Sequence, residues 1–419
     1  MDIPQGYKQT ELGIIPEDWE IVRLGDIGNF SKGAGISRED AQTGNIPAIR
    51  YGEIYTTHNY CIQIFYSYID TVVAQHAKLL SYGDILFACS GETKEDIGKS
   101  VAYVNDIIAY AGGDIIVLSP DQSCYDSRFM GYATNAAYVV SQKSAKGQGD
   151  AVVHISKDSL AEIMLYVPQN KDEQQAIAEA LSDIDGLIAV LDKKIAKKRL
   201  IKQGAMQQLL TGKKRLPGFS DPWVEKRLGD MGHLMNGYTF KSETYNLAGE
   251  FKIITIANVQ SGYLMINACN RIIELPVDIQ PHQMLKKGDI LISMTGNVGR
   301  TCVVNQTKCL LNQRVGKFDI DKDFISSQFL FELLKNEHFE NAMIDAGQGA
   351  AQANIGKNDI ENYKCYVPRN KAEQKAIATI LNDMDKEIDD LEAQRDKYRL
   401  LKSGMMQKLL TGQIRLKIK

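Results

Sequence analysis

Apolar side chains recur at Ile177, Leu181, Ile184, Ile188, Leu191 and Ile195. The steps of 4-3-4-3-4 predict a long amphipathic helix with a coiled-coil seam. Two hundred positions later the pattern returns at Ile377, Leu381, Met384, Ile388 and Leu391, and continues through Tyr398, Met405 and Leu409. Elsewhere the apolar runs are short and β-like. They fall at Ile46–Ile49, Asp84–Ala88, Ser100–Val104 and Asp114–Leu118, then at Lys252–Ile256, Asp289–Met294, Thr301–Val304 and Gly316–Ile320. Helical stretches follow each set, at Ser127–Ala145 and Ser326–Ala346. The pattern is that of two small α+β heads and two long helices.

The helices are copies of one another. Val167–Gly212 aligns without a gap on Val367–Gly412, with 25 of 46 positions identical. Each copy opens with Val-Pro, which favours an extended start. Asn170 with Glu173, and Asn370 with Glu373, are placed to form capping boxes. Gly212 and Gly412 are natural stops. Some 40 helical residues make a rod of roughly 60 Å. Gly204 and Gly404 lie inside the helices at equivalent positions, where glycine costs about 1 kcal/mol relative to Ala. Close approach of another backbone is one reason to keep them, and a kink is another.

Charge selects how the rods pair. Residues 171–192 hold one Lys and six acids, whereas 193–215 hold nine Lys/Arg and no acid. The second copy repeats this polarity, with three against seven over 371–392 and six against one over 393–415. Antiparallel pairing sets each acidic half beside a basic half, and places the heads at opposite ends. A dimerisation coiled coil is the alternative use of the same seam.

The heads are also related. WEIVRLGD at 19–26 matches WVEKRLGD at 223–230, GDIL at 83–86 matches GDIL at 288–291, and GQG at 147–149 matches GQG at 347–349. Between these anchors the sequences diverge, so one scaffold presents two different surfaces. The expected division is a first head at 1–166, a central helix at 167–212, a second head at 213–366 and a C-terminal helix at 367–419.

Of the 419 residues, 24% are charged, and the net charge is −3. Residues 1–166 carry 12 Lys/Arg against 21 Asp/Glu, and residues 213–366 carry 18 against 17. Neither head has the basic excess of a stand-alone nucleic-acid binder. The seven cysteines form no CxxC pair, which suits reduced thiols in a cytoplasm. The polar N-terminus lacks an apolar export core, and no apolar run is long enough to span a membrane.

Catalytic signatures are missing. Gly91 stands seven residues before Gly98-Lys99-Ser100, where a P-loop needs five. No Asp/Asn-Pro-Pro-aromatic motif of the amino-methyltransferases occurs, and the six histidines are scattered. No metal site is expected. The loops instead carry side chains suited to base edges, since Arg pairs with guanine and Asn or Gln with adenine. In the first head these are Lys32, Arg38, Arg50, Tyr51, Ser90, Thr93, Lys94, Lys99 and Gln148. In the second they are Lys241, Asn258, Thr295, Asn297, Arg300, Asn312, Gln313, Arg314 and Gln348.

The doubled EQ-x-A-I-A…L-x-D-x-D…L-L-T-G helices and the paired W…RLGD…GDIL heads resemble the specificity subunits of type I restriction-modification systems, over essentially the whole chain. The resemblance implies a non-catalytic DNA reader in which each head recognises one half of a bipartite target. It implies that the helices set the gap and dock two methyltransferase subunits. Ile177, Leu181, Ile184, Ile188, Leu191 and Gly204, with Ile377, Leu381, Met384, Ile388, Leu391 and Gly404, are the candidates for docking or helix pairing. S-adenosylmethionine, ATP and Mg belong, on this reading, to the methyltransferase and to a separate restriction subunit. The family also implies cyclic pseudo-symmetry, in which the C-terminal run Leu410–Leu416 matches the run leading from the central helix into the second head. The competing readings are an adaptor with two protein- or glycan-binding heads and a fused nuclease or methyltransferase. The missing motifs speak against the last.

Overall fold

The computed structural model describes residues 3–347 and 353–416. Two compact units emerge, Met1–Asp192 with Ala393–Lys419, and Lys193–Glu392. The boundaries fall within the two long helices, Lys171–Leu209 and Lys371–Leu409, each of 39 residues and about 58 Å. Each unit therefore owns one head, the acidic first half of one helix and the basic second half of the other.

Ion pairs within each unit set the direction. In the first, Glu173 meets Arg415 at 2.6 Å, Asp185 meets Lys402 at 2.5 Å, and Asp192 meets Arg399 at 3.4 Å and Arg395 at 3.6 Å. In the second, Glu373 meets Arg215 at 2.7 Å, Asp385 meets Lys202, and Glu387 meets Lys198 at 2.7 Å. Partner numbers fall as residue numbers rise, so the segments run antiparallel. The exposed pairs supply only about 0.2–1 kcal/mol each. Burial supplies more, because Leu181 and Leu381 are fully enclosed and Ile177 and Ile377 nearly so. These four join the cores of the heads, where Leu409-Leu410 and Leu209-Leu210 meet them. Farther along, Ile184, Leu191, Ile388 and Leu391 are buried, while Ile188 and Met384 are half-buried.

The expected capping boxes do not form. The Asn170 and Asn370 side chains accept from the N–H groups two residues on, at 2.9 Å each. Glu173 and Glu373 turn instead to the arginines, because a charge-assisted fork outbids a neutral amide. At Gly204 and Gly404 the kink is corrected, and no described backbone of this chain makes the close approach. The helices run through them unbroken, and nothing among the described residues lies within 4 Å of an added Cβ at either.

In the first head a five-stranded sheet has the order Gly28–Lys32, Ile115–Pro120, Ile85–Ala88, Ser100–Ala102 and Tyr60–Cys61. A four-stranded sheet adjoins it, ordered Ser67–Ile69, Ile46–Ile49, Tyr110–Ala111 and Lys78–Leu79. The second head has two four-stranded sheets. One is ordered Gly232–Asn236, Val315–Ile320, Ile290–Ser293, Thr301–Val303, and the other Asn270–Ile272, Phe251–Ile254, Cys309–Leu311, Met284–Leu285. A two-stranded ribbon closes each head, Trp19–Arg23 with Met164–Pro168 and Val224–Arg227 with Lys364–Val367. The repeated GDIL element is a turn leading into a central strand. Gly83 and Gly288 take positive φ of 92° and 94°, and Asp84 and Asp289 accept the N–H of Ser81 and Lys286 at 2.8 Å. The helical stretches expected at Ser127–Ala145 and Ser326–Ala346 are each two helices, Ser127–Ala133 and Ala137–Lys146, then Ser327–Leu334 and Glu337–Ala346. At the first break the Asn135 amide donates to Ser100 and Gly131 carbonyls; at the second, Asn336 caps the next helix through His338 N–H.

Gln174 and Gln374 stitch each long helix to its head. Gln374 is fully buried. It accepts from Ser326 N–H at 2.7 Å and donates to the carbonyls of Phe324 at 3.2 Å and Pro368 at 2.8 Å. Gln174 does the same with Asp126, Cys124 and Pro168. Gln374→Leu strands three backbone groups, of which the two on Ser326 and Pro368 are buried and cost about 1–3 kcal/mol each. Urea unfolding of this variant is expected to show a loss of at least about 2 kcal/mol, and a loss below about 0.5 kcal/mol would contradict the stitch.

Candidate nucleic-acid interface

Strand ends bring the polar loops of each head together. In the second head, Tyr238 N–H reaches Leu311 and Gln313 N–H reaches Tyr238. Met294 N–H donates to the Arg314 carbonyl at 3.0 Å, and Ile355 N–H to the Met294 carbonyl at 2.9 Å. These bonds gather Thr239, Thr295, Asn297 and residues 312–314 onto one loop cluster. Thr239 Oγ1 donates to the Gln313 side-chain oxygen Oε1 at 2.6 Å, and Thr295 Oγ1 donates to Asn354 Oδ1 at 2.8 Å. Arg314 is exposed, and its guanidinium has no partner among the described residues. Asn297 is exposed, and Asn312 is half-buried with its side-chain oxygen on Arg314 N–H. Lys241 is exposed beside Glu243.

Two candidates of this head are corrected. Asn258 is buried, accepts from Thr255, and donates to the Met265 carbonyl at 2.9 Å; its amide shapes the loop and is closed to a base. Arg300 is held by Gln260 at 3.1 Å and by Glu340 at 3.4 Å, so its fork is occupied. Gln348 lies outside the described residues.

The first head repeats the frame. Cys89 N–H donates to the Asp114 carbonyl at 2.9 Å, Ile155 N–H to Cys89, and Gly112 N–H to Ile49. Lys32 is exposed one strand from Ile116, its register partner, and Arg50 follows Ile49 at the start of the helix Tyr51–Thr56. Tyr51, Thr93, Lys94 and Gln148 are exposed, as is Arg38 on the separate turn around Glu39–Ala41. Ser90 and Lys99 are corrections. Ser90 is buried against His154 Nδ1 at 2.9 Å. Lys99 donates to the Tyr55 carbonyl at 3.0 Å, and burial lowers its pKa. Both build the loop and neither presents a free head group.

Sequence reasoning passed over Lys143, which is fully buried without a carboxylate. Its ammonium donates to the carbonyls of Gly98 at 2.6 Å and Thr134 at 2.9 Å, tying the 91–98 loop to the helix Ala137–Lys146. Met343 occupies the matching place in the second head, against Gly299. The Lys143–Met343 contrast was visible in the aligned sequences, but nothing there marks position 143 as interior.

A scan against family models matches residues 16–198 and 220–398 to the type I restriction modification DNA specificity domain. The chain belongs to that family. A type I restriction enzyme specificity subunit of Methanocaldococcus jannaschii, MjaVIII, is 26% identical, with 99% of this chain and 97% of that one covered. The EcoAI specificity subunit of Escherichia coli is 28% identical over 48% of this chain and 34% of its own length. Among solved structures, the type I restriction-modification S subunit from M. genitalium superposes with a TM-score of 0.61 at 16% identity, covering 98% of both chains. A chain from a study of type I complex assembly and conformational transition gives 0.59 at 16% identity, covering 96% and 99%. The family membership makes the protein a DNA-sequence-recognition component without catalytic machinery of its own. Among the described residues no helix is long and apolar enough to cross a membrane.

Burial pushes the Lys143 ammonium down to about 7, from an ordinary 10.5. Between these values the unfolded chain holds a proton that the folded unit does not. Stability therefore rises with pH across that window, while below about 7 the full penalty of the buried charge is present. Denaturant unfolding from pH 7 to 10 is expected to show this rise in the wild type and a flatter profile in Lys143→Met. Identical slopes would remove the buried ammonium from the account.

Proposed function

We propose that each head reads one half of a bipartite DNA target, and that the long helices hold the two readers apart and dock two methyltransferase subunits. The observation that carries this reading is the doubled frame. Both units repeat the same strand-end loop cluster on the same helix pairing, yet fill the loops with different side chains. Identical frames give identical placement, and different loops give different sequence preference. No observation favours protein- or glycan-binding heads.

Docking has its own support. Leu200 and Leu400 are 69% and 76% exposed at equivalent positions, one turn before Gly204 and Gly404. Leucine beside glycine lets a partner helix approach closely, which fits the open space above both glycines. S-adenosylmethionine, with ATP and Mg, is proposed to reside on the methyltransferase and on an ATP-driven restriction subunit. The whole assembly is proposed to work in the cytoplasm.

The acidic balance of the first head, 12 bases against 21 acids over residues 1–166, fits a division of labour. Methyltransferases that clamp the duplex would supply most phosphate contacts, leaving the heads to read bases. A salt-titrated binding assay tests this. The subunit alone is expected to bind a target duplex weakly, with a shallow salt slope, and the methyltransferase complex tightly, with a steep one. Leu200→Glu combined with Leu400→Glu is expected to leave the subunit folded and return the mixture to the weak state. Equal affinity and slope with and without methyltransferase would contradict the proposal.

A further inference from the structure

One position on the shared frame carries opposite charges in the two heads. Arg314 ends the turn between Cys309–Leu311 and Val315–Ile320, and Asp114 ends the turn between Tyr110–Ala111 and Ile115–Pro120. Each offers its carbonyl to the residue following the central strand of its sheet, Met294 or Cys89. Those two residues in turn accept from Ile355 and Ile155. Neighbouring bonds match as well, since Asn312 N–H reaches Ile254 and Gly112 N–H reaches Ile49. The two side chains therefore stand at one geometric place in two copies of the fold. Both are exposed, and neither side chain has a hydrogen-bond or ion-pair partner among the described residues.

The surroundings of each single out that residue. In the second head the flanking amides have their acceptor oxygens engaged, Gln313 by Thr239 and Asn312 by the backbone N–H of Arg314 itself. In the first head the turn is Gly112-Gly113-Asp114, so Asp114 is the sole side chain on it. Asp114 also takes a positive φ of 58°, a conformation in which Asp and Asn are tolerated better than most side chains. A lone carboxylate facing DNA is repelled by phosphate, and it is useful only where a base edge offers a donor. In the major groove, cytosine N4 is such a donor for Asp, while guanine O6 and N7 suit the guanidinium fork.

We propose that residues 114 and 314 are matched base-reading positions, Arg314 selecting a guanine in the half-site of the second head and Asp114 a cytosine in that of the first. This rests on the reading of each head as a half-site reader. It converts the acidity of the first head from an obstacle into part of its selectivity.

The test maps the methylated motif in cells expressing the complete complex, and measures methylation rates on duplexes altered one base at a time. Arg314→Ala is expected to relax one guanine of one half-site, with discrimination there falling by about 5- to 160-fold and the other half unchanged. Arg314→Lys should retain the guanine, because an ammonium also reaches O6 and N7. Asp114→Asn tolerates the same backbone but replaces one acceptor oxygen with a donor. It should weaken the cytosine preference in the opposite half-site alone. Unaltered motifs and rates in both Arg314→Ala and Asp114→Asn overturn the proposal, as does relaxation in the wrong half. Replacing residues 20–165 whole with the matching segment of a relative separates the two levels. If that exchange rewrites one half-site while Asp114→Asn leaves it intact, position 114 fails and half-site reading stands. If the exchange leaves the motif unchanged, half-site reading itself fails.

Discussion

An arginine from the end of one long helix neutralises a buried glutamate at the start of the other, and each unit is built around that contact. In the second unit the Arg215 fork grips Glu373 at 2.7 and 2.8 Å, with the guanidinium 5.9 Å from the Trp223 ring. In the first, Arg415 bridges Glu173 and Asp18 above Trp19. Both glutamates are 1% exposed. A carboxylate so placed is tolerable only when its partner is present, and removing one side of such a pair costs about 3–5 kcal/mol. The contact thus demands that an acidic helix start and a basic helix end, distant in the chain, occupy the same unit. Trp19 opens one closing ribbon and Trp223 stands immediately before the other, so the same contact also seats the heads.

Beyond that shared closure the two heads fasten to the helices with different chemistry. Lys402 and Lys202 each pair with an aspartate of the facing helix, Asp185 and Asp385. In the first head Tyr132 donates to Asp185 at 2.8 Å, and the Lys402 ammonium sits 3.7 Å from the Tyr60 ring centre. In the second head Lys335 takes the role, bonding Asp385 at 2.8 Å and the fully buried Glu332 at 2.7 Å. A constant Lys–Asp pair on the helices accepts either an aromatic or an ionic partner. The scaffold therefore holds recognition heads of unlike sequence without changing its own residues.

Much of this was legible in the chain. Seam periodicity, the ungapped repeat and the charge polarity specify the helices and their antiparallel pairing, because each is a local property summed over many residues. The central strands followed from short apolar runs, with Ile46–Ile49 matching to the residue. Less legible were the features that depend on contacts far apart in sequence. Glu173 looks like a capping residue until Arg415 is beside it. Asn258 and Arg300 resemble base readers in the sequence, and only tertiary partners reveal them as loop fasteners. Asp114 was passed over because the loop candidates were chosen for the pairing of Arg with guanine and of Asn or Gln with adenine, which a carboxylate does not make. The closing ribbons escaped notice because Val224–Arg227 and Lys364–Val367 are short, half-exposed and 140 residues apart.

Arg415 and Glu173 act as one unit that closes the first head onto the helices. A double-mutant cycle with Glu173→Gln and Arg415→Gln in the full subunit, read by backbone amide exchange, addresses it most directly. The account predicts that each single variant loses protection along Trp19–Arg23 and Met164–Pro168, that the double variant loses no more than the worse single one, and that Val224–Arg227 keeps its protection. Additive losses, or protection lost equally in both heads, would contradict it.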